Sequence, residues 1–251
     1  MSHFPYDKIV ALLFLFGVFQ VSFVDTYLLW FEDWSWTGNY YLLRNSISEG
    51  KMITVFGAHN YSAYAYTALF ISGRISNRLS NMSKLLLLVM LLTLESGTAY
   101  LSISYILLSS VSVTRRKIFI GVLVIFVTLV LFIIFFSDRV FGDASNGLYS
   151  RLMVNDSAWI LNLLTVMNSP FGIGFNYYLG GDSGFLSIFA RFGWLIGALL
   201  NLYIFRIIRK KFSLGFAIYT LLLSVFLPVT ISIQMMLLLF ILNGNSSYYK
   251  K

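Results

Sequence analysis

The sequence predicts an all-α, polytopic membrane protein, and three observations carry that prediction. Hydrophobic residues fill 58% of the chain and charged residues only 11%, with a mean hydropathy of +0.79, a composition outside that of soluble globular domains. The apolar residues gather in runs of about 20, the length that crosses a bilayer as a helix. Most of the 18 Lys and Arg fall in short clusters between those runs, as the positive-inside rule expects of cytoplasmic loops. The net charge of +8 therefore reads as topology, and no nucleic-acid partner is expected. With no Cys in the chain, disulfides, thiolate metal sites and thiol nucleophiles are excluded. Two His are too few for the usual zinc sites, so no metal or cofactor is expected.

The first span is expected from about Ile9 to Phe31. It lacks the basic n-region and small-residue cleavage site of a signal peptide, so it is expected to stay as a helix. Glu32, Asp33, Trp34 and Trp36 follow, an acidic and aromatic stretch typical of a membrane interface, which places this end outside. A polar segment to about Met52 leads into a second span, Ile53 to Gly73, whose exit at Arg74, Arg78 and Lys84 is cytoplasmic. From Leu85 to Val113 the chain is apolar except at Glu95-Ser96-Gly97, and Arg115, Arg116 and Lys117 follow. Two short helices turning at that triplet as a re-entrant hairpin keep both basic flanks inside, and one long tilted helix is the alternative.

Ile118 to Phe136 then crosses outward, and Ser137 to Ser183 forms the longest polar segment, holding Asp138, Arg139, Asp143, Arg151, Asp156 and Asp182. Phe185 to Phe205 returns inward to Arg206, Arg209, Lys210 and Lys211. Pro228 lacks a backbone donor and interrupts the last apolar run, Phe212 to Leu242. A second hairpin there keeps Lys250 and Lys251 inside. The sum is about eight transmembrane or re-entrant helical segments in a single membrane-embedded domain over residues 1–251. Two external loops, at about 32–52 and 137–183, carry the polar residues.

Four outer cations stand where the positive-inside rule expects few: Arg44, Lys51, Arg139 and Arg151. A guanidinium recognises phosphate with two parallel hydrogen bonds and could clamp a pyrophosphate; solvated charge or headgroup contact is the plainer alternative. Asp138 beside Arg139 favours the plainer alternative there. Arg151 opens an amphipathic stretch with Leu152, Trp159, Leu163 and Val166. His59-Asn60 lies where a span begins, suited either to capping that helix or to holding a substrate. Glu95 is the only acidic residue of its apolar run. Such a carboxyl is either functional or the tip of a hairpin reaching interfacial water. Gly172 and Gly174, in Pro170-Phe-Gly-Ile-Gly-Phe-Asn176, permit close backbone approach, and their N–H groups could form an anion nest.

The order of these phrases resembles the O-antigen and capsule polymerase/O-antigen ligase family of bacterial inner-membrane proteins. It runs Lys51 and Phe56-Gly-Ala-His-Asn-Tyr-Ser-Ala63, Glu95-Ser-Gly97, Arg151 with Trp159, Pro170-Phe-Gly-Ile-Gly174, Asp182-Ser-Gly-Phe-Leu186 and Gly193-Trp-Leu-Ile-Gly197. The resemblance covers about Lys51 to Gly197, and its specificity lies in order and spacing. Ala58-His59 stands where the family has Asn-Pro, Glu95 precedes Ser-Gly without the family's Arg, and Asp182-Ser183 replaces His-Asn. The last departure favours the polymerase branch over the ligase. Members carry several helices before the first phrase where this chain has one, so the resemblance implies a short or truncated member.

What the resemblance implies is metal-independent glycosyl transfer on the periplasmic face, joining undecaprenyl-pyrophosphate-linked repeat units into O-antigen or capsular polysaccharide. Arg151, Asp182 and His59 are then expected to be catalytic. Arg44, Lys51, Asn60, Glu95, Trp159, Gly172 and Gly174 are expected to bind substrate. Expected partners are the lipid-linked units, membrane lipids and a chain-length regulator. An O-antigen ligase, or a lipid-linked oligosaccharide flippase or transporter, is the alternative.

Overall fold

The computed structural model describes residues 5–29, 38–56, 58–110, 158–174, 183–226, 232, 235, 237–239 and 241–242. Among them every regular element is helical, as the sequence predicts. The chain groups into two units, Met1–Ser110 with Leu237–Lys251, and Val111–Met236. The expected crossing at 118–136, the turn at Pro228 and most of the loop 137–183 lie outside the described residues.

In the first unit, α1 (Tyr6–Ser22) stops at Phe23, whose φ of −127° and ψ of 52° leave the helical region, and α2 (Val24–Leu29) continues the chain. The span expected as one helix from Ile9 is therefore broken. A further helix, α3 (Gly38–Ser48), occupies the segment expected as an external loop. Then α4 (His59–Ile75), α5 (Asn81–Thr93) and α6 (Gly97–Ser110) follow in this unit.

Helix α4 is its centre. Every residue from Ser62 to Gly73 is buried, so the helix is covered on all sides, and Ala63, Ala65, Ala68 and Gly73 let neighbouring backbones come close. A Cβ on Gly73 would stand 3.0 Å from that of Leu79 and 3.2 Å from the Tyr6 ring. Asn77, at φ 52°, ends the helix, with the Arg78 N–H donating to the Gly73 carbonyl at 2.9 Å in a Schellman-like closure. Ser80 caps α5 by accepting from the Ser83 N–H at 3.2 Å.

Helices α5 and α6 turn at the triplet that the sequence marks. Glu95 adopts φ 42°, and Ser96 accepts from the Ala99 N–H at 3.2 Å to start α6. With 13 and 14 residues, each is about 20 Å long at about 1.5 Å per residue, short of a bilayer core of about 30 Å. The other end of the bundle is tied by polar side chains. The Tyr6 and Ser72 hydroxyls meet at 2.6 Å, Asp7 accepts from the Ser80 N–H at 3.0 Å, and Arg74 donates to Ser109 at 3.1 Å.

The second unit holds α7 (Ala158–Asn168), α8 (Gly184–Lys211) and α9 (Leu214–Phe226). Among the described residues α8 is the one helix long and apolar enough to cross a membrane. Arg209, Lys210 and Lys211 in its last turn suit the negative end of the helix dipole. It is not continuous: Gly193, at φ 78° and ψ 178°, breaks it into two helical pieces. A straight helix would hold residues 189 and 197 about 12 Å apart. Instead, a Cβ on Gly197 would fall 2.8 Å from the Phe189 Cα, so the two pieces fold against each other at an elbow.

Candidate functional site

The polar end of the first unit is assembled around the segment between α3 and α4. Thr54 sits at φ 57°, a left-handed conformation costly for a β-branched residue and kept only where neighbours over-determine it. Gln20 of α1 clasps its peptide from both sides, its Oε1 accepting from the Thr54 N–H at 2.8 Å and its Nε2 donating to the Thr54 carbonyl at 3.5 Å. The Thr54 and Tyr66 hydroxyls meet at 3.0 Å, and Tyr66 donates to the Met52 carbonyl at 2.7 Å. Ser62 donates to the Ile53 carbonyl at 2.6 Å and to that of Ala58 at 2.9 Å. Gln20, Thr54 and Ser62 are all fully or nearly fully buried, so this network satisfies polar groups that would otherwise be orphaned. It also shortens the expected second span. The backbone at Ile53, Thr54 and Ala58 is held by side chains of α1 and α4, and the helix starts only at His59.

The clasp fixes where the expected site residues lie. Lys51 is 8% exposed and forms an ion pair with Glu49. Its charge is therefore already countered, and an anion reaching it would have to displace or share with that carboxylate. His59 and Asn60 form the first turn of α4, but neither caps it: Ala58 holds the N-cap position without a side-chain bond. Asn60 instead accepts from the Thr98 hydroxyl at 2.9 Å, tying α4 to the first turn of α6. Glu95 is exposed at the hairpin tip, and the Asn60–Thr98 bond brings that tip to the end of the bundle where α4 begins. Lys51, His59, Asn60 and Glu95 thus share one end of the first unit, while Arg44 is exposed on α3.

In the second unit the Gly-rich phrase is built into the fold. The Ile173 N–H donates to the Ala190 carbonyl at 2.9 Å and the Gly174 N–H to that of Arg191 at 3.0 Å. In return the Trp194 N–H donates to the Pro170 carbonyl at 2.9 Å. Gly172, Ile173 and Gly174 therefore direct their N–H groups at carbonyls of the protein, the first to Ser169 at 2.9 Å, rather than into an open nest. The contact admits only glycine at two places. A Cβ on Gly172 would stand 2.4 Å from the Arg191 carbonyl oxygen, and one on Gly193 2.4 Å from that of Pro170. The Trp194 indole adds a bond to the Val166 carbonyl at 2.6 Å.

Arg151 and Asp182 lie outside the described residues, and Trp159 is placed only as a backbone position in α7. Sequence reasoning passed over Gln20, Thr54 and Tyr66, whose significance depends on contacts across 34 and 12 positions. It also passed over Arg191, the one charged residue between Gly184 and Phe205, although a lone charge in an apolar span is a signal readable without a structure. Among the described residues no three His, Cys, Asp or Glu gather as metal ligands would.

The described fold defines the class: an all-α protein with a broken helix that meets the length and apolarity of a membrane span. No protein-family model, no curated protein and no solved structure matches the chain significantly.

Proposed function

We propose that the protein is a multi-pass enzyme of a bacterial inner membrane, with about eight membrane or re-entrant segments. In this reading it polymerises undecaprenyl-pyrophosphate-linked oligosaccharide units by glycosyl transfer on the periplasmic face. One observation carries the reading: Lys51, His59, Asn60 and Glu95 share the end of a helical bundle opposite to Arg74, and the basic clusters make the Arg74 end cytoplasmic. Exposed leucines such as Leu12, Leu15, Leu85, Leu92 and Leu101, each more than half exposed among the described residues, support a lipid surrounding.

The chemistry asks for three things. A sugar hydroxyl of the acceptor unit forms a bond to the anomeric carbon of the donor, whose bond to the pyrophosphate oxygen breaks, and the electron pair leaves with the pyrophosphate. Cations stabilise that leaving group without metal, a role for Arg151 with Arg44 and Lys51. A base receives the hydroxyl proton, a role for Asp182 or for His59. Trp159 offers a face on which a sugar ring can stack. Complementation of a polymerase-null strain tests the reading: Arg151→Ala and Asp182→Asn should each fail to restore long polymer. Full-length polymer from both would refute the assignment of these groups.

A second reading has one observation in its favour. Discontinuous helices mark many transporters, and α8 is broken. A lipid-linked oligosaccharide flippase would leave single units on the inner leaflet when the gene is deleted, whereas a polymerase would leave them on the outer one.

A further inference from the structure

Two hydrogen bonds measure the height of the first unit. At one end the Asn60 side chain accepts from the Thr98 hydroxyl, and at the other Arg74 donates to Ser109, so α4 and α6 run side by side between the same two polar levels. Those levels stand about 21 Å apart along α4 and about 17 Å along α6, at about 1.5 Å per residue. Helix α5 agrees. It begins at Asn81, next to Ser80, whose N–H donates to Asp7, and it ends at Thr93, two residues before the exposed Glu95. From Asn81 to Glu95 is again about 21 Å. Lys84 does not interrupt this stretch, because its ammonium donates back to the Asn81 side chain at 3.1 Å, as a snorkelling cation does.

The surface between the two levels is apolar and uncovered. Met82, Leu85 and Leu92 of α5 are more than half exposed, with Val89 between them at 37%, and Leu101 and Leu107 of α6 are about half exposed. At spacings of three and four residues the α5 side chains form one stripe. A bilayer core is about 30 Å thick, so this face is short of it by about 10 Å. A hairpin that stopped inside the hydrocarbon would avoid the mismatch, but it would set the exposed Glu95 carboxylate in lipid. The non-helical backbone of the turn, at φ 42°, would lie there too, where such backbone must be covered by protein. The Asn60–Thr98 bond moreover ties the turn to the end of the unit that carries the Glu49–Lys51 ion pair. The shortfall belongs to the hairpin side: on α1 and α2 exposed apolar side chains continue from Leu12 and Leu15 through Phe23 to Leu29.

We infer that the α5–α6 hairpin crosses the bilayer completely and holds the lipid against its face thin, at about 20 Å of hydrocarbon. The partner of this surface is the bilayer itself, and the inference rests on the membrane reading, not on glycosyl transfer. Thinning on this side draws the outer headgroups down to Asn60 and Glu95, the level at which the polymerase reading needs a lipid-borne pyrophosphate.

The test uses the purified full chain in vesicles of dimyristoleoyl-, dioleoyl- or dierucoylphosphatidylcholine, a series of increasing thickness. The thermal midpoint should be highest in the first and several degrees lower in the last. Asn81→Leu combined with Lys84→Leu lengthens the exposed apolar stripe at its inner end and should move the best lipid to a longer one. In intact cells Glu95→Cys should react with an impermeant maleimide and Ser80→Cys should not. If the two cysteines react alike, the hairpin is re-entrant and the crossing is overturned. A wild-type midpoint that is independent of lipid length, or highest in the longest lipid, overturns the thinning whether or not the leucine variant folds. Protein that stays in solution without lipid or detergent would overturn the membrane reading itself, which keeps the two failures apart.

Discussion

Replacing Gly193 by Ala should separate the docked loop from α8. The new methyl would stand 2.4 Å from the Pro170 carbonyl oxygen and 2.6 Å from the Phe171 carbonyl carbon, both backbone atoms that cannot swing aside. The residue would also have to keep φ at 78° with ψ at 178°, a conformation all but reserved for glycine, at about 1–3 kcal/mol for another residue. Relief requires the loop to withdraw, breaking the three backbone bonds that join residues 173, 174 and 170 to the elbow, at about 1 kcal/mol each. The expected loss is therefore about 4–6 kcal/mol. Gly174→Ala is the internal control: its φ is 71°, but nothing lies within 4 Å of the added Cβ, so only the conformational term of about 1–2 kcal/mol remains. Thermal unfolding of both variants in the same detergent measures the contrast. Equal losses would refute the claim that packing at the elbow, rather than conformational freedom, fixes glycine at Gly193.

Three further outcomes follow from the first unit. Gln20→Leu strips the Thr54 peptide of both side-chain partners and should destabilise the unit by about 2–4 kcal/mol, read from the same melting experiment. Asn60→Ala and Thr98→Val should show coupling of about 0.5–1.5 kcal/mol in a double-mutant cycle, and additivity would deny their hydrogen bond any weight. Hydrogen bonds from Ser83, and with them the Ser80 N–H, hold the Asp7 carboxyl below its usual pKa. A depressed carboxyl stabilises the fold at pH values above its unfolded pKa and loses that contribution as pH falls through the folded one. Asp7→Asn should accordingly flatten the acid limb of the stability profile. Asp7 is solvent-exposed, so an effect much larger than that of a surface ion pair would contradict this assignment.

The sequence made some elements readable and hid others for physical reasons. The hairpin at Glu95-Ser96-Gly97 was legible because a polar triplet in an apolar run, flanked by basic clusters, leaves the chain little choice. The Gly-rich phrase was legible as a place of close approach, but its partner was not. Nothing local says that Gly172 faces the Arg191 carbonyl or that Gly193 breaks α8 to receive it, since that fit is made between segments some 20 residues apart. The helix at Gly38–Ser48 was hidden by its low hydrophobicity, which reads as loop when apolar periodicity is the guide. The late start of α4 depends on Gln20, a polar residue inside the first apolar run whose use appears only when Thr54 is brought beside it. Arg191 was legible and was overlooked, because a span that passes an average hydropathy test conceals a single charge within it.

The chain has no Cys, so single-cysteine variants report topology without background. Glu95→Cys should react with an impermeant maleimide added from outside, and Ser80→Cys should react only after lysis. The central claim is glycosyl transfer, and reconstitution addresses it most directly. Purified protein in proteoliposomes, supplied with lipid-linked repeat units from its host, should yield a ladder of longer lipid-linked chains and release undecaprenyl pyrophosphate. Movement of single units across the bilayer with no change in their length would contradict it.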